Sequence, residues 1–268
     1  LTAIWPDIAV APVTWDDKGG SVDFEVPLRM DQDTWDEFNP KLHPLRLWLR
    51  GTGVEEYYDL KVGLRELKAV GKEFILNDRP IYFRGTVNAG DFPLTGFPIT
   101  YVATWKKIFE TCKQWGLNHM RFHSWTPPEA AFEAADELGF YLQIEPGMWN
   151  EINPDTLIEG MLWTETDGII KAYGNHPSFM LLSASNEPRG KWHESLSKWV
   201  DYYRRMDPRR LYTTGSGHNE REIPKLTEGT QYLVVQRIGT SPLRRESGWF
   251  GHDYSAALLV VDLPVIAH

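Results

Sequence analysis

The run Ser183-Ala184-Ser185-Asn186-Glu187-Pro188 sets a carboxylate beside a primary amide, directly after the apolar stretch Phe179 to Leu182. An apolar run ending in Asn-Glu-Pro reads as a strand that delivers both groups to its C-terminal end, the end where barrel enzymes assemble their sites. A carboxylate so placed makes Glu187 the first candidate to carry chemistry. The bland alternative is a turn made by Asn and Pro with Glu187 as a solvated bystander.

Other candidates fall at similar places. His123 and Trp125 close a strand at His119 to Ser124, on which Arg121 and His123 share one face by the two-residue period. His123 reads either as a substrate contact or as a satisfied structural histidine. His119 and His123 are also an i, i+4 pair, which on a helix would point to zinc; on a strand they lie about 13 Å apart, too far to share one ion, so no metal is assigned. Glu145 ends the strand Tyr141 to Glu145, and Trp149, His218, Asn219, Arg237 and Trp249 all follow expected strands. An aromatic platform suits the apolar face of a sugar, though a loop Trp equally packs under its neighbour. Arg237 offers a two-pronged grip on a carboxylate such as a uronate. Glu246, after two arginines in "LRRESGWF", reads as a paired surface carboxylate. No Gly-rich phosphate loop, G-x-S-x-G elbow or H-E-x-x-H helix occurs. Ser216 and His218 in "GSGH" are too close in sequence to face each other as nucleophile and base.

These residues need a scaffold of alternating elements. From Leu1 to about Leu67, short β-type runs (Ser21 to Leu28, Arg46 to Leu49, Tyr57 to Val62) alternate with turns, as in part of an antiparallel sandwich. From about Lys68 strands alternate with amphipathic helices, the signature of βα units on a parallel sheet. Strands are expected at Tyr82 to Thr86, His119 to Ser124, Tyr141 to Glu145, Phe179 to Ser185, Leu211 to Thr214, Tyr232 to Gln236 and Pro264 to Ala267. Helices are expected at Tyr101 to Trp115, Pro128 to Leu138, Asp155 to Tyr173 and Lys191 to Met206. Val102, Trp105, Ile108, Phe109 and Cys112 form the apolar face of the first. The expected architecture is α/β: a (β/α)₈ barrel, incomplete at its C-terminal end with about seven of eight strands, over residues 68–268, behind a partial β-sandwich over residues 1–67.

Composition bounds the partners. The 268 residues hold 28 Lys+Arg against 37 Asp+Glu, a formal charge of -9, with no basic run to track a phosphate backbone. Nucleic acid and anionic membrane surfaces are therefore not expected partners. No apolar run approaches the roughly 20 residues of a membrane-spanning helix, and the chain is expected to be soluble. It starts without Met or a leader pattern and is expected to be cut from a longer product; its compartment is not legible. The single cysteine, Cys112, excludes an internal disulfide and reads as a core residue. Twelve Trp, eleven Tyr and twelve Phe raise the question of sugar stacking.

The stretch from Tyr82 to His268 resembles the catalytic barrel of glycoside hydrolase family 2, the β-galactosidase and β-glucuronidase family. The matching pieces are "RPIYFRGTVN", "GLNHMRFHSW", "ELGFYLQIEPG", "HPSFMLLSASNEP" and "LPVIAH" at strands one, two, three, four and seven. Upstream, "NPKLHPLRLWLRG…DLKVGLREL" is similar to the last strands of that family's sandwich. The resemblance implies that Glu187 is the acid/base, that Asn186 holds the sugar 2-hydroxyl and that the rim carrying His123 contacts substrate. Glu145 matches a glutamate that in magnesium-using members ligates the metal with a His two residues later; that position is Gly147 here, so Glu145 is expected to support or bind and no cofactor is expected. The family's nucleophile, a glutamate ending strand seven, would fall just beyond His268. It must stand about 5 to 5.5 Å from the acid/base.

The expected function is a retaining exo-β-glycosidase working on carbohydrate by double displacement, with the isolated chain inactive for want of its nucleophile. Two alternatives remain: a non-catalytic carbohydrate-binding barrel, and an endo-acting β-mannanase or cellulase of the same clan, against which the β-rich start counts. Galactoside, glucuronide, mannoside and rarer plant-polysaccharide linkages stay open.

Overall fold

The computed structural model describes residues 2–4, 8–23, 25, 33–218, 229–235 and 265–267. In chain order the strands β1 (Thr2–Ile4), β2 (Ile8–Val10), β3 (His43–Gly51) and β4 (Val54–Val62) form one antiparallel sheet ordered β2-β1-β3-β4. The expected runs Arg46 to Leu49 and Tyr57 to Val62 lie inside β3 and β4. Of the expected strand Ser21 to Leu28, residues 21–23 and 25 form no strand, and residues 24 and 26–28 lie outside the described residues. A second antiparallel sheet follows from β5 (Leu67–Val70), β6 (Glu73–Leu76) and β7 (Arg79–Ile81).

The βα portion then begins. It contains β8 (Gly85–Asn88), α1 (Val102–Gln114), β9 (His119–Phe122), α2 (Glu129–Leu138), β10 (Tyr141–Ile144), α3 (Leu157–Tyr173), β11 (Phe179–Ser183), α4 (Trp192–Met206), β12 (Leu211–Thr213), β13 (Ser216–His218), β14 (Leu233–Val235) and β15 (Val265–Ala267). All pairings among these strands are parallel, in the orders β12-β11-β10-β9-β8 and β13-β14-β15. The fifth station is one strand in two pieces: β12 pairs with β11, and after two residues β13 pairs with β14. The described residues thus fill seven stations of an incomplete (β/α) barrel, as the alternation predicts.

The first station is displaced from its expected place. Tyr82 to Arg84 is not a strand, because the Asn118 side chain takes over the pairing: its Oδ1 accepts from Arg84 N (2.7 Å) and its Nδ2 donates to Tyr82 O (3.0 Å). A side chain that satisfies both polar groups leaves no vacancy for a neighbouring strand.

The helices form where their end signals lie. Glu129 opens α2 behind Pro128, and Gly139 closes it at φ 65°, the left-handed conformation that glycine adopts without strain. Thr156 caps α3 by accepting from Glu159 N (3.3 Å), while the Glu159 carboxylate accepts from Asp155 N (2.7 Å), a reciprocal arrangement close to a capping box. On α1, Trp105 and Phe109 are buried, and Val102, Ile108 and Cys112 are partly buried against the same core. No helix among the described residues is long and apolar enough to cross a membrane.

Two apolar layers result from the strand period. Met120, Phe122, Leu142, Ile144 and Leu182 face the helices. Tyr141, Leu181, Leu211, Tyr232 and Val234 fill the barrel interior, where Leu67, Phe74 and Leu76 of the small antiparallel sheet join them. Trp35 packs there too: fully buried, it meets Tyr141 edge-on (5.8 Å) and its indole Nε1 donates to Asp136 O (2.8 Å). Its backbone is held on both sides, N donating to Leu64 O (2.7 Å) and O accepting from Asn77 Nδ2 (3.1 Å).

His119 shares this interior, buried against Phe83, with its Nε2 unpaired among the described residues. Burial, and secondarily the Arg121 charge, pushes its pKa down to about 3. The folded chain therefore keeps the imidazole neutral while the unfolded chain protonates it near pH 6.5, so stability is lost as pH falls from about 6.5 toward 3. At roughly 1.4 kcal/mol per pH unit, the wild type should lose about 2 kcal/mol more than His119→Gln between pH 7 and pH 5. Urea unfolding of both at the two pH values checks this; equal losses would remove His119 from the account.

Candidate active site at the strand ends

On β9 the two-residue period sends Met120 and Phe122 outward and His119 and Arg121 inward; on β10 it sends Leu142 and Ile144 outward and Tyr141 and Gln143 inward. Parallel pairing sets Gln143 opposite Arg121. Glu145, the next inward position after Gln143, thereby comes within reach of the guanidinium.

The contact is two-pronged. Arg121 Nε donates to Glu145 Oε1 (2.6 Å) and Nη2 to Oε2 (3.1 Å), with Arg121 only 3% exposed and Glu145 fully buried. The remaining capacity of the carboxylate is also taken. Oε1 accepts from Ser216 Oγ (2.5 Å) and Gln143 Nε2 (3.3 Å), and Oε2 from Ser124 N (2.7 Å). Such saturation is what a charge without water requires. The charge also acts on Tyr232: burial first, then Glu145, holds that phenol well above its ordinary pKa, so it stays protonated.

Arg121 Nη2 also donates to Asn186 Oδ1 (2.6 Å). The amide is thereby oriented with Oδ1 on the guanidinium, and its Nδ2, buried, has no hydrogen-bond partner among the described residues. Asn186 N donates to Met148 O (2.9 Å), and Asn186 bridges to Ser216 in parallel register. Glu187 N donates to Ser216 O (2.7 Å). Glu187 itself is half-buried and sits at φ 41°, a conformation that costs a non-glycine residue of order 1–3 kcal/mol and marks a position fixed by its surroundings.

Around this centre His123 is half-buried, its N donating to Asn88 O (2.9 Å) and its ring edge-on to Trp149 at 5.0 Å. Trp149 is 51% exposed. Trp125 donates from Nε1 to Asn88 O (3.1 Å) and packs against Phe92 and Phe122, both at 5.3 Å. The backbone of His218 ends β13. Asn219, Arg237, Glu246 and Trp249 lie outside the described residues. Gly147 N donates to Glu165 Oε1 (3.1 Å), and no group of three or more His, Cys, Asp or Glu suited to a metal ion occurs among the described residues.

The structure thus joins Asn186, Glu187 and Glu145 in one network and pairs His123 with Trp149 beside it. The links between them, Arg121, Gln143 and Ser216, are absent from the candidates drawn from motif and strand-end position. A signal for two of them exists in the sequence: polar residues at every second place of otherwise apolar strands, in "HMR" and "QIE".

The family described as "Glycosyl hydrolases family 2, TIM barrel domain" matches residues 67–242. A β-glucuronidase of Streptococcus agalactiae is 24% identical over 69% of this chain and 34% of its own length. A β-galactosidase of Staphylococcus xylosus is 27% identical over 56% of this chain and 13% of its own. Among solved structures, Parabacteroides merdae β-glucuronidase with glycerol in its active site superposes with a TM-score of 0.76 at 16% identity, over 93% of this chain and 32% of that one. A Ruminococcus gnavus β-glucuronidase bound to a C6-substituted uronic isofagomine gives 0.71 at 22% identity, over 88% and 44%. The chain therefore spans about a third or less of the length of these two sequence relatives.

Removing the guanidinium strands a buried carboxylate. Arg121→Met should cost about 3–5 kcal/mol, and adding Glu145→Gln should restore part of the loss, since the neutral amide needs no counter-charge. Urea denaturation of the single and double variants checks this; additive losses would mean that the two side chains are not coupled.

Proposed function

The chain belongs to glycosyl hydrolase family 2, and from that premise we propose that it carries the acid/base side of a retaining exo-β-glycosidase. The observation that supports this best is the Asn186-Glu187 pair immediately after β11, with Asn186 oriented by Arg121 and Glu187 half-buried beside it. In the proposed cycle Glu187 protonates the leaving glycosidic oxygen, a second carboxylate attacks the anomeric carbon, and Glu187 then deprotonates the water that releases the sugar. Asn186 Nδ2, with both hydrogens unclaimed among the described residues, donates to the sugar 2-hydroxyl. Such a contact strengthens in the transition state and contributes several kcal/mol. His123 and Trp149 bound the sugar beside the acid. Glu145, with both oxygens engaged by protein donors, acts as a positioning residue through Arg121.

The substrate class is a terminal β-linked sugar, with β-glucuronides and β-galactosides first in line because the two sequence relatives named above bear those activities in their names. The antiparallel strands before residue 67 belong, in this reading, to a β-sandwich domain that precedes the barrel.

The test is a panel of aryl β-glucuronides, β-galactosides and β-mannosides, assayed on this chain and on any longer polypeptide from the same gene. On the sugar that turns over, Glu187→Gln should lower kcat/KM by about 10²–10⁴-fold for a poor leaving group and far less for dinitrophenolate, which departs without a proton. Unchanged turnover of the poor leaving group would refute the acid/base assignment. Sugar binding with no turnover in any polypeptide would replace it with a non-catalytic carbohydrate-binding barrel.

A further inference from the structure

Glu187 and Gly217 face each other beside the bridge that joins Asn186, beyond the end of β11, to Ser216 at the start of β13. The backbone is pinned there from both sides: Ser216 N donates to Ser185 O (2.8 Å) and Glu187 N donates to Ser216 O (2.7 Å). Gly217 follows directly, buried, at φ +78°. A Cβ placed on it would stand 2.9 Å from Glu187 Cγ, 3.5 Å from Glu187 Oε1 and 3.4 Å from Asn186 Oδ1. The first of these is closer than carbon atoms approach, so one side must give. The backbone of residue 217 is held by the ladder, whereas Glu187 Cγ belongs to a side chain, which gives way by rotation about χ1 at less cost than a paired backbone. Any side chain at 217 therefore moves the carboxylate of Glu187 before it moves the barrel.

We propose that Gly217 is a positioning residue for Glu187: its bare backbone forms the wall against which that side chain rests, and so sets where the carboxyl group stands. The inference rests on the acid/base reading of Glu187 and extends it to a residue that touches no substrate. A misplacement of about 1 Å is enough to cost on the order of 10²-fold in rate. The loss falls only on the step that needs the proton.

The test compares Gly217→Ala with Gly116→Ala, a glycine at the same φ of +78° with nothing within 4 Å of an added Cβ, so that left-handed strain is matched and only the clash differs. Gly217→Ala should lower kcat/KM for a poor aryl leaving group by on the order of 10²-fold, leave dinitrophenyl glycoside turnover within a few-fold, and add no further loss in a Glu187→Gln background. Gly116→Ala should change none of these. Equal losses on both leaving groups, losses that add to those of Glu187→Gln, or no loss at all would each overturn the proposal. Collapse of cooperative unfolding in Gly217→Ala alone would overturn it as well, since the backbone and not Glu187 would then have yielded. Should Glu187→Gln keep full turnover, the acid/base reading falls separately. A crystal structure of Gly217→Ala then decides the steric inference, a displaced Glu187 carboxylate upholding it and an unmoved one refuting it.

Discussion

Two opposite charges that water does not reach govern the C-terminal strand ends of this barrel. Withdrawing a guanidinium and a carboxylate from solvent costs several kcal/mol for each ion unless they meet with good geometry and every leftover donor and acceptor is satisfied. Arg121 and Glu145 can meet only if β9 and β10 are parallel neighbours in the observed register, with Gln143 opposite Arg121. The spare lone pairs of Glu145 then recruit Ser216 from the fifth station and the backbone of Ser124, and one spare donor of Arg121 recruits Asn186 from the fourth, while its buried Nη1 has no partner among the described residues. Four strand stations are thereby locked at their C-terminal ends by one pair of ions.

That demand accounts for the break in the fifth strand. β12 follows β11 in regular pairing through Ser183 and Thr213, yet Ser216 must bond Glu145 and Gln143 while its backbone meets Ser185 and Glu187. Both are met by ending one ladder and starting another three residues later, on β14. The positive φ of Glu187 belongs to the same compromise, since its N–H is turned toward Ser216 O while the chain leaves the strand.

How much of this could be read beforehand follows from which interactions are local. The ends of α2 were legible because Pro128 and Gly139 act on their immediate neighbours. Glu187 and Asn186 were legible because a strand end followed by Asn-Glu-Pro is a contiguous signal. The start of β8 was misplaced because the competitor for its backbone, the side chain of Asn118, lies 34 and 36 residues downstream of its two partners. Arg121, Gln143 and Ser216 stayed out of the site for a related reason: a polar residue inside a strand shows its purpose only when the partner, up to 73 residues away, is known.

Trp35 leaves a mark on the order of events during synthesis. Its indole closes the floor of the barrel by bonding Asp136 O, 101 residues later in the chain, and by packing on Tyr141. At a translation rate of about 5–20 residues per second, those partners emerge from the ribosome roughly 5–20 s after it. Trp35 is thus made before either of these partners and can be seated only once both have emerged. Through that interval a large apolar ring waits for the helix and strand it will rest on.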